Sequence, residues 1–414
     1  MLDRSRLSSR RDLTFRQNAQ QGRHGWLRLT PAYSVNVVSE ILRSEAPRIG
    51  VLDPYSGTGT TALCASESGL PAQATDINPF LVWLARAKTA RYSAAVVRDT
   101  RVVVDLVSHH AANGILPVAP PPIHNIERWW PPPVLHALCA VRAAIEEYTT
   151  ARSGARRLLD VAFCRTVIGV SAAAFNHQSM SFKTATAGPP PKRSASLRQV
   201  SAHFRTSAAA VIEAVSPNPL GATRILIADA RDLKPVEPAS FDLVVTSPPY
   251  VNRMSYIREL RPYMYWLGYL ENARDAGELD WRAVGGTWGI ATSRIATWVP
   301  ASDGHALPLV VSASLRAIRQ SQGQSADLLA RYVHKYFGDV RQHIAAVAAR
   351  IAPGGRVHYI VGNSSFYGQL VPTEQAYAEL LREAGFAQVA VKALRKRNSK
   401  RELVEFDVVG TMPQ

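Results

Sequence analysis

The run Phe241-Asp242-Leu243-Val244-Val245 leads into Thr246-Ser247-Pro248-Pro249-Tyr250, so an apolar stretch closes on hydroxyls, two prolines and an aromatic ring. The Ser247 hydroxyl and the Ser247 and Pro248 carbonyls are hydrogen-bond acceptors, and Tyr250 offers a ring face. Together they suit a planar group that carries an exocyclic amine: the oxygens accept from the amine and the ring stacks. Proline has no N–H to donate to a ladder, so a strand over 241–245 must stop here, and Ser247 is held extended by the proline after it. The result is a rigid loop at the carboxyl end of a buried strand, where open α/β sheets bind ligands.

A second group of residues has the chemistry to hold a partner for that amine. Asp53-Pro54-Tyr55-Ser56-Gly57-Thr58-Gly59-Thr60 lies between a strand pattern and a helix pattern. Its glycines permit a sharp turn and close approach to a ligand, and the helix N–H groups beyond Gly59 favour an acceptor. A Walker A loop is excluded because no Gly-Lys-Ser/Thr follows. Asp76 ends the next strand about twenty residues on, where a ribose diol needs an acceptor. Asp229 ends the third strand and suits an adenine amine, and Asp53 suits an ammonium. Each acid alone is as well explained as a solvated strand-end carboxylate or a helix cap. Three at successive strand ends beside a glycine loop fit S-adenosylmethionine, which has a ribose, an adenine and an amino-acid end.

These residues need a sheet to position them. Ile49–Asp53, Pro71–Asp76, Arg224–Asp229, Phe241–Val245 and Arg356–Gly362 read as strands, and Ala387–Ala393 with Leu403–Gly410 reads as a final hairpin. Thr61–Ser68, Pro79–Tyr92, Ala326–Ile351 and Glu374–Ala384 read as helices between them, with Pro353-Gly354-Gly355 stopping the long one. The expected fold is α/β: a doubly wound, seven-stranded, mostly parallel sheet. Helical patterns over 135–152, 155–174 and 197–215, among proline-rich stretches, make 95–222 a largely helical insertion and a candidate target-recognition region. Residues 1–94 would then hold the cofactor half, and 223–414 the catalytic half with a second recognition insertion at about 271–325.

Composition narrows the class. The chain has 414 residues, 48 Lys and Arg against 32 Asp and Glu, and a net charge of +16. That favours a polyanionic partner, with a merely solvated basic surface as the alternative. The apolar runs are too short to span a membrane, and Met1 to Arg16 is too polar for a secretory signal. Cys64, Cys139 and Cys164 form no CxxC pair and lie near no nucleophile motif, which fits a reducing cytoplasm. His24 and His177 have no ligand spacing, and no metal site is expected.

The two motifs, Asp53-Pro54-Tyr55-Ser56-Gly57-Thr58-Gly59-Thr60 and Thr246-Ser247-Pro248-Pro249-Tyr250, resemble those of DNA amino-methyltransferases, which modify cytosine N4 or adenine N6. The Ser-Pro-Pro-Tyr form resembles the cytosine-N4 branch, and Asp-Pro-Pro-Tyr is found in many adenine-N6 members. The segment His24 to Ser34 looks like the one that such enzymes close over the methionine end of the cofactor. The resemblance covers about 24–92 and 223–270, and 326–410 at fold level. It implies a Rossmann-like methyltransferase fold, with Ser247, Pro248, Pro249 and Tyr250 in the catalytic loop. It also implies a cofactor site formed by Asp53, Tyr55, Gly57, Gly59, Thr60, Asp76, Asn78 and Asp229, with Thr30 and Tyr33 from the preceding segment. DNA is the implied substrate, with the base flipped onto Tyr250 and Asn252 and Arg253 on its backbone, in a restriction-modification or phage-defence setting with a cognate endonuclease. Adenine-N6 transfer, RNA base methylation and non-catalytic nucleic-acid binding on the same fold are the alternatives.

Other basic and aromatic groups admit two readings. Five of the seven residues Arg395 to Arg401 are basic, a solvated hairpin tip or a phosphate contact. Lys183, Lys192, Arg193, Arg198 and Arg205 offer a second phosphate-binding face. Arg258, Arg261, Tyr263, Tyr265 and Trp266 read as nucleotide contacts or as a helix packing its rings on the core. Trp129-Trp130, flanked by prolines, reads as a packing anchor rather than a stacking site.

Overall fold

The structure, a computed structural model, describes residues 11–27, 29, 32–113, 117–174, 181–182, 193–252, 255–300, 306–321, 323–397 and 402–414. Seven strands form one sheet: β1 Val51–Asp53, β2 Ala72–Asp76, β3 Thr223–Ile227, β4 Phe241–Thr246, β5 Ile351–Gly362, β6 Ala387–Lys396 and β7 Val404–Thr411. Their spatial order is β6-β7-β5-β4-β1-β2-β3. β7 pairs antiparallel with both β5 and β6, and the remaining pairs are parallel. This is the doubly wound, mostly parallel α/β sheet expected from the strand and helix patterns, in the order of a Rossmann-like methyltransferase fold.

The order puts the site where it is. From β1 the chain winds outward through β2 to β3, then crosses back and winds the other way from β4. β1 and β4 are neighbours whose outgoing loops diverge, which opens a crevice at their carboxyl ends. Alternation along these strands covers both faces. Val51, Leu243 and Val245 pack with Val38 and Ile41 of α1 (Val35–Glu45) and Ala62 of α2 (Thr60–Glu67). Leu52 and Val244 face Val333, Phe337 and Ile344 on the long helix over 326–348. At the opposite end of β4, the Asp242 carboxylate accepts from the backbone N–H groups of Arg48, Ile49 and Gly50 at 2.6, 3.1 and 2.9 Å, which pins the start of β1 to β4.

The insertion does not stand apart. After α3 (Pro79–Thr89) come α4 (Ala94–Asn113), α5 (Pro132–Tyr148), α6 (Gly154–Gly169) and α7 (Arg193–Glu213). They share one apolar cluster with Phe80 and Leu84 of α3 and with Met264 and Trp266 of α8 (Tyr256–Trp266). Trp130 is fully buried, donates Nε1–H to the Val167 carbonyl at 2.8 Å and meets Trp266 edge-on at 5.6 Å. The Trp129-Trp130 pair is therefore the packing anchor expected. Tyr263, Tyr265 and Trp266 are also buried, so these three rings pack on the core, as the second reading of 258–266 has it. Phe80 stacks on Tyr263 at 5.3 Å, and Arg261 lies between the rings of Trp129 and Trp288.

Two local expectations change. The helix expected to run to Ile351 ends at Ala348, and Pro353-Gly354-Gly355 lies inside β5 rather than between elements. There it forms an irregularity in the pairing with β4: Gly354 takes φ +75°, and its N–H reaches the Met412 carbonyl. The region at about 271–325 contains α9 (Ala273–Arg282), α10 (Ile290–Thr297) and α11 (Leu309–Arg319). Ile295, Val311 and Leu315 from it join the cluster beneath α12 (Ala326–Ala348). No helix among the described residues is long and apolar enough to cross a membrane.

Candidate active site

The loop after β1 is built by β2. Ser56 N–H donates to the Thr75 carbonyl at 2.8 Å, and Thr75 Oγ1 donates to the Pro54 carbonyl at 2.9 Å. Asp76 accepts from Gly57 N–H at 2.9 Å and from Asn78 N–H at 2.8 Å, so its two oxygens order both loops while facing the crevice. Gly57 has φ +49°, and a Cβ there would meet nothing closer than the Tyr55 carbonyl at 3.8 Å, so it leaves open space in the cradle. Gly59 has φ +81°, and a Cβ there would sit 2.8 Å from Ala85 Cβ on α3. Gly59 was expected to admit a ligand. Its glycine is required instead by the close crossing of α2 and α3.

The loop after β4 faces this cradle. Thr246 Oγ1 donates to Asp53 Oδ1 at 2.6 Å, which ties the two strand ends together. Ser247 Oγ donates to the Ile360 carbonyl of β5 at 3.0 Å, so its proton is engaged and its lone pairs are left to accept. The Pro249 carbonyl accepts from Tyr336 Oη at 2.7 Å. Tyr250 Oη donates to Glu405 Oε1 at 2.8 Å, and the Arg397 guanidinium lies 5.0 Å from the centre of the Tyr250 ring.

Both loops open into one cavity of about 260 Å³, whose wall includes Ser56, Gly57, Asp76, Asp229, Ser247 and Tyr250. Tyr33, Tyr55, Thr60, Asn78, Pro248 and Pro249 also contribute to it. Of the residues expected at the site, Asp53 and Gly59 are not on this wall. Asp53 is buried beneath it, held by Thr246 and by Tyr55 N–H at 3.1 Å, so the expected ammonium contact is not on the cavity surface. Asn78 reaches the wall, but its side chain caps α3 by accepting from Phe80 N–H at 3.0 Å. Tyr33 Oη is bonded to Thr61 Oγ1, leaving its ring to the cavity. Thr30 and Arg253 lie outside the described residues, as do Lys183, Lys192, Lys400 and Arg401.

The electrostatics are uneven. Desolvation pushes the Asp53 acid up to about 6 and the Asp76 acid up to about 7. Desolvation also works to raise Asp229, but hydrogen bonds from Arg231 at 2.9 and 2.6 Å outweigh it and hold that acid below its usual range. His343, buried behind Tyr55 at 4.7 Å between ring centres, is pushed down to about 4 by desolvation and lies neutral against Tyr359 Oη and the Ala230 carbonyl.

The donor set fits S-adenosylmethionine. Ser56 Oγ and Tyr55 Oη are buried and have no partner among the described residues, and both residues belong to the loop that lines the cavity. With the open cradle at Gly57 and the carboxylates of Asp76 and Asp229, the cavity presents acceptors for a diol and an amine.

Sequence reasoning missed several wall residues. Ile77 and Ala230 each follow a strand-end acid, a signal that a count of one residue onward supplies. Glu405 comes from the β6–β7 hairpin with Arg395 and Arg397, which the sequence offers as a solvated tip or a phosphate contact, and the register that pairs Arg395 with Glu405 brings all three to the crevice. That placement depends on β7 lying beside β5, which local pattern does not reveal.

No protein-family model matches the chain, and no curated protein matches it. Among solved structures, the crystal structure of TrmN from Thermus thermophilus is similar at 14% identity and a TM-score of 0.30, over 98% of this chain and 53% of that one. The chain thus spans about half the length of TrmN, and at that TM-score the fold rests on the chain's own strand order.

Proposed function

We propose that this chain is an S-adenosylmethionine-dependent methyltransferase that acts on the exocyclic N4 amine of a cytosine flipped out of DNA. The observation that carries the reading is the shared cavity: the cradle of Gly57 and Asp76 and the Ser247-Pro248-Pro249-Tyr250 loop face the same space across β1 and β4.

The cofactor supplies, when bound, an electrophilic methyl group on a positively charged sulfur. The chain's own residues make the amine able to receive it. The N4 lone pair is delocalised into the cytosine ring and is a poor nucleophile. Ser247 Oγ, which donates its own hydrogen to the Ile360 carbonyl, accepts from the amine, and the Pro248 carbonyl is the second acceptor. Two acceptors favour a pyramidal nitrogen with its lone pair out of the ring plane, and positioning of this kind supplies much of the rate. Tyr250 takes a face of the base and Glu405 fixes the tyrosine hydroxyl. The hydroxyl of Ser247, in place of a carboxylate, supports cytosine over adenine. The net charge of +16 supports a polyanionic substrate, and the helices over 95–222 and 271–325 are the proposed target-reading parts.

The test is incubation of the protein with labelled S-adenosylmethionine and either DNA or RNA, followed by digestion to nucleosides. N4-methylcytosine from DNA supports the reading. N6-methyladenine redirects it to the other base, a labelled RNA nucleoside redirects it to RNA, and binding without transfer assigns the fold a non-catalytic role.

A further inference from the structure

A basic hairpin end in solvent would scatter its side chains, but Arg395 and Arg397 both turn onto the cavity wall beside Tyr250. They are held differently. Arg395 is paired with Glu405, Nε to Oε2 at 2.7 Å and Nη2 to Oε1 at 3.1 Å. Glu405 also takes the Tyr250 hydroxyl and is 5% exposed, so this carboxylate is already engaged by one guanidinium and one phenol.

Arg397 sits in a socket of a different kind. Its Nη1 donates to the Asn363 carbonyl at 3.0 Å, and the guanidinium rests near the Tyr250 ring. Asn363 is fully buried and fixed in turn, with Nδ2 donating to the Glu402 carbonyl at 3.0 Å and Oδ1 accepting from Val404 N–H at 2.8 Å. Gly362 provides the floor, because a Cβ there would lie 2.8 Å from both Arg397 Nη1 and Tyr250 Cε2. A carbonyl and a ring orient a guanidinium without cancelling its charge. Among the described residues of the wall, two cations, Arg395 and Arg397, thus stand against one carboxylate, Glu405, on the Tyr250 side of the cavity.

We propose that Arg397 binds a phosphate flanking the base that stacks on Tyr250, an assignment that rests on the base-modification reading above. An extruded nucleotide brings its backbone phosphates with it, and the planar fork of a guanidinium matches two phosphate oxygens. Arg395, committed to Glu405, holds the tyrosine; Arg397 takes the anion. Such a contact adds affinity and register but reads no sequence.

The test starts from the DNA site that the wild-type protein methylates. Duplexes with the phosphate on either side of the target replaced, one at a time, by an uncharged methylphosphonate are compared with the unmodified duplex by fluorescence anisotropy. One replacement is expected to weaken wild-type binding about tenfold and to leave Arg397→Gln unaffected, with the salt dependence of Arg397→Gln flatter by about one phosphate. Arg397→Lys keeps the charge and is expected to regain most of the penalty, and circular dichroism checks that both variants are folded. Equal penalties in wild type and Arg397→Gln, or no penalty in either, overturn the assignment while methyl transfer stands. Absence of transfer to any DNA overturns the DNA-methylation reading, and the phosphate assignment with it.

Discussion

Tyr336 Oη donates to the Pro249 carbonyl at 2.7 Å and lies 3.2 Å from Tyr377 Oη, so two buried tyrosines from α12 and α13 (Thr373–Glu383) brace the loop that presents Ser247 and Tyr250. Tyr336→Phe keeps the ring and removes the bond. Its expected cost is about 1 kcal/mol of stability in urea unfolding. The larger effect is expected in turnover, with cofactor affinity by calorimetry unchanged. Unaltered kcat in a folded Tyr336→Phe protein would show that the brace has no catalytic value.

The raised acids on and beneath the cavity wall set a pH dependence. Asp53 and Asp76, pushed by desolvation from 3.8 to about 6 and about 7, keep a proton in the folded chain that the unfolded chain has lost. The stability this gives is complete below pH 3.8 and disappears as pH rises through about 7. Thermal unfolding of the ligand-free protein is expected to show a larger loss between pH 5 and pH 8 for wild type than for Asp76→Asn. Affinity for S-adenosylmethionine, the proposed cofactor, is expected to run the other way and tighten as the carboxylates ionise. Matching pH slopes in the two proteins would remove Asp76 from this account.

The two loop glycines are expected to separate by experiment. Gly59→Ala places a methyl 2.8 Å from Ala85 Cβ at φ +81°, and a loss of about 1–3 kcal/mol is expected in denaturant unfolding. Gly57→Ala meets open space at φ +49°, so its larger effect is expected on cofactor affinity measured by calorimetry. The assignment of Gly59 to helix packing fails if the two substitutions lower stability and affinity in the same proportion.

Trp130 tests whether the helical insertion and the sheet form one cooperative unit. It is fully buried and joins Val167 of α6 to Trp266 of α8. Trp130→Ala is expected to lose about 3–5 kcal/mol. Far-UV circular dichroism and cofactor binding are expected to disappear in a single urea transition. Two separated transitions would show that the helices fold apart from the cofactor half.

Apart from the start of β5, the strands of the sheet are legible because each has its own local signal. β4 is an apolar run stopped by two prolines, β2 closes on Asp76, and the last two strands flank a polar stretch of sequence. Ser247, Tyr250, Gly57 and Asp76 follow from those strand ends. Helices were harder where composition misleads. α4 carries Val102-Val103-Val104, a β-branched run that hides a helix of twenty residues. α9 announces itself only by the capping box of Asn272 and Asp275. The placement of Arg397 and Glu405 against Tyr250, and the bracing by Tyr336, depend on contacts between residues far apart in sequence, which no local window contains.

The short bond from Thr246 to Asp53 has a further consequence. It joins the end of the strand that presents the target loop to the end of the strand that presents the cofactor loop. A shift of either strand end that strains this contact is passed to the other. On the proposed function, any help that a bound cofactor gives to holding a nucleotide is returned in equal measure by the nucleotide. The hydroxyl that makes this tie lies off the cavity wall.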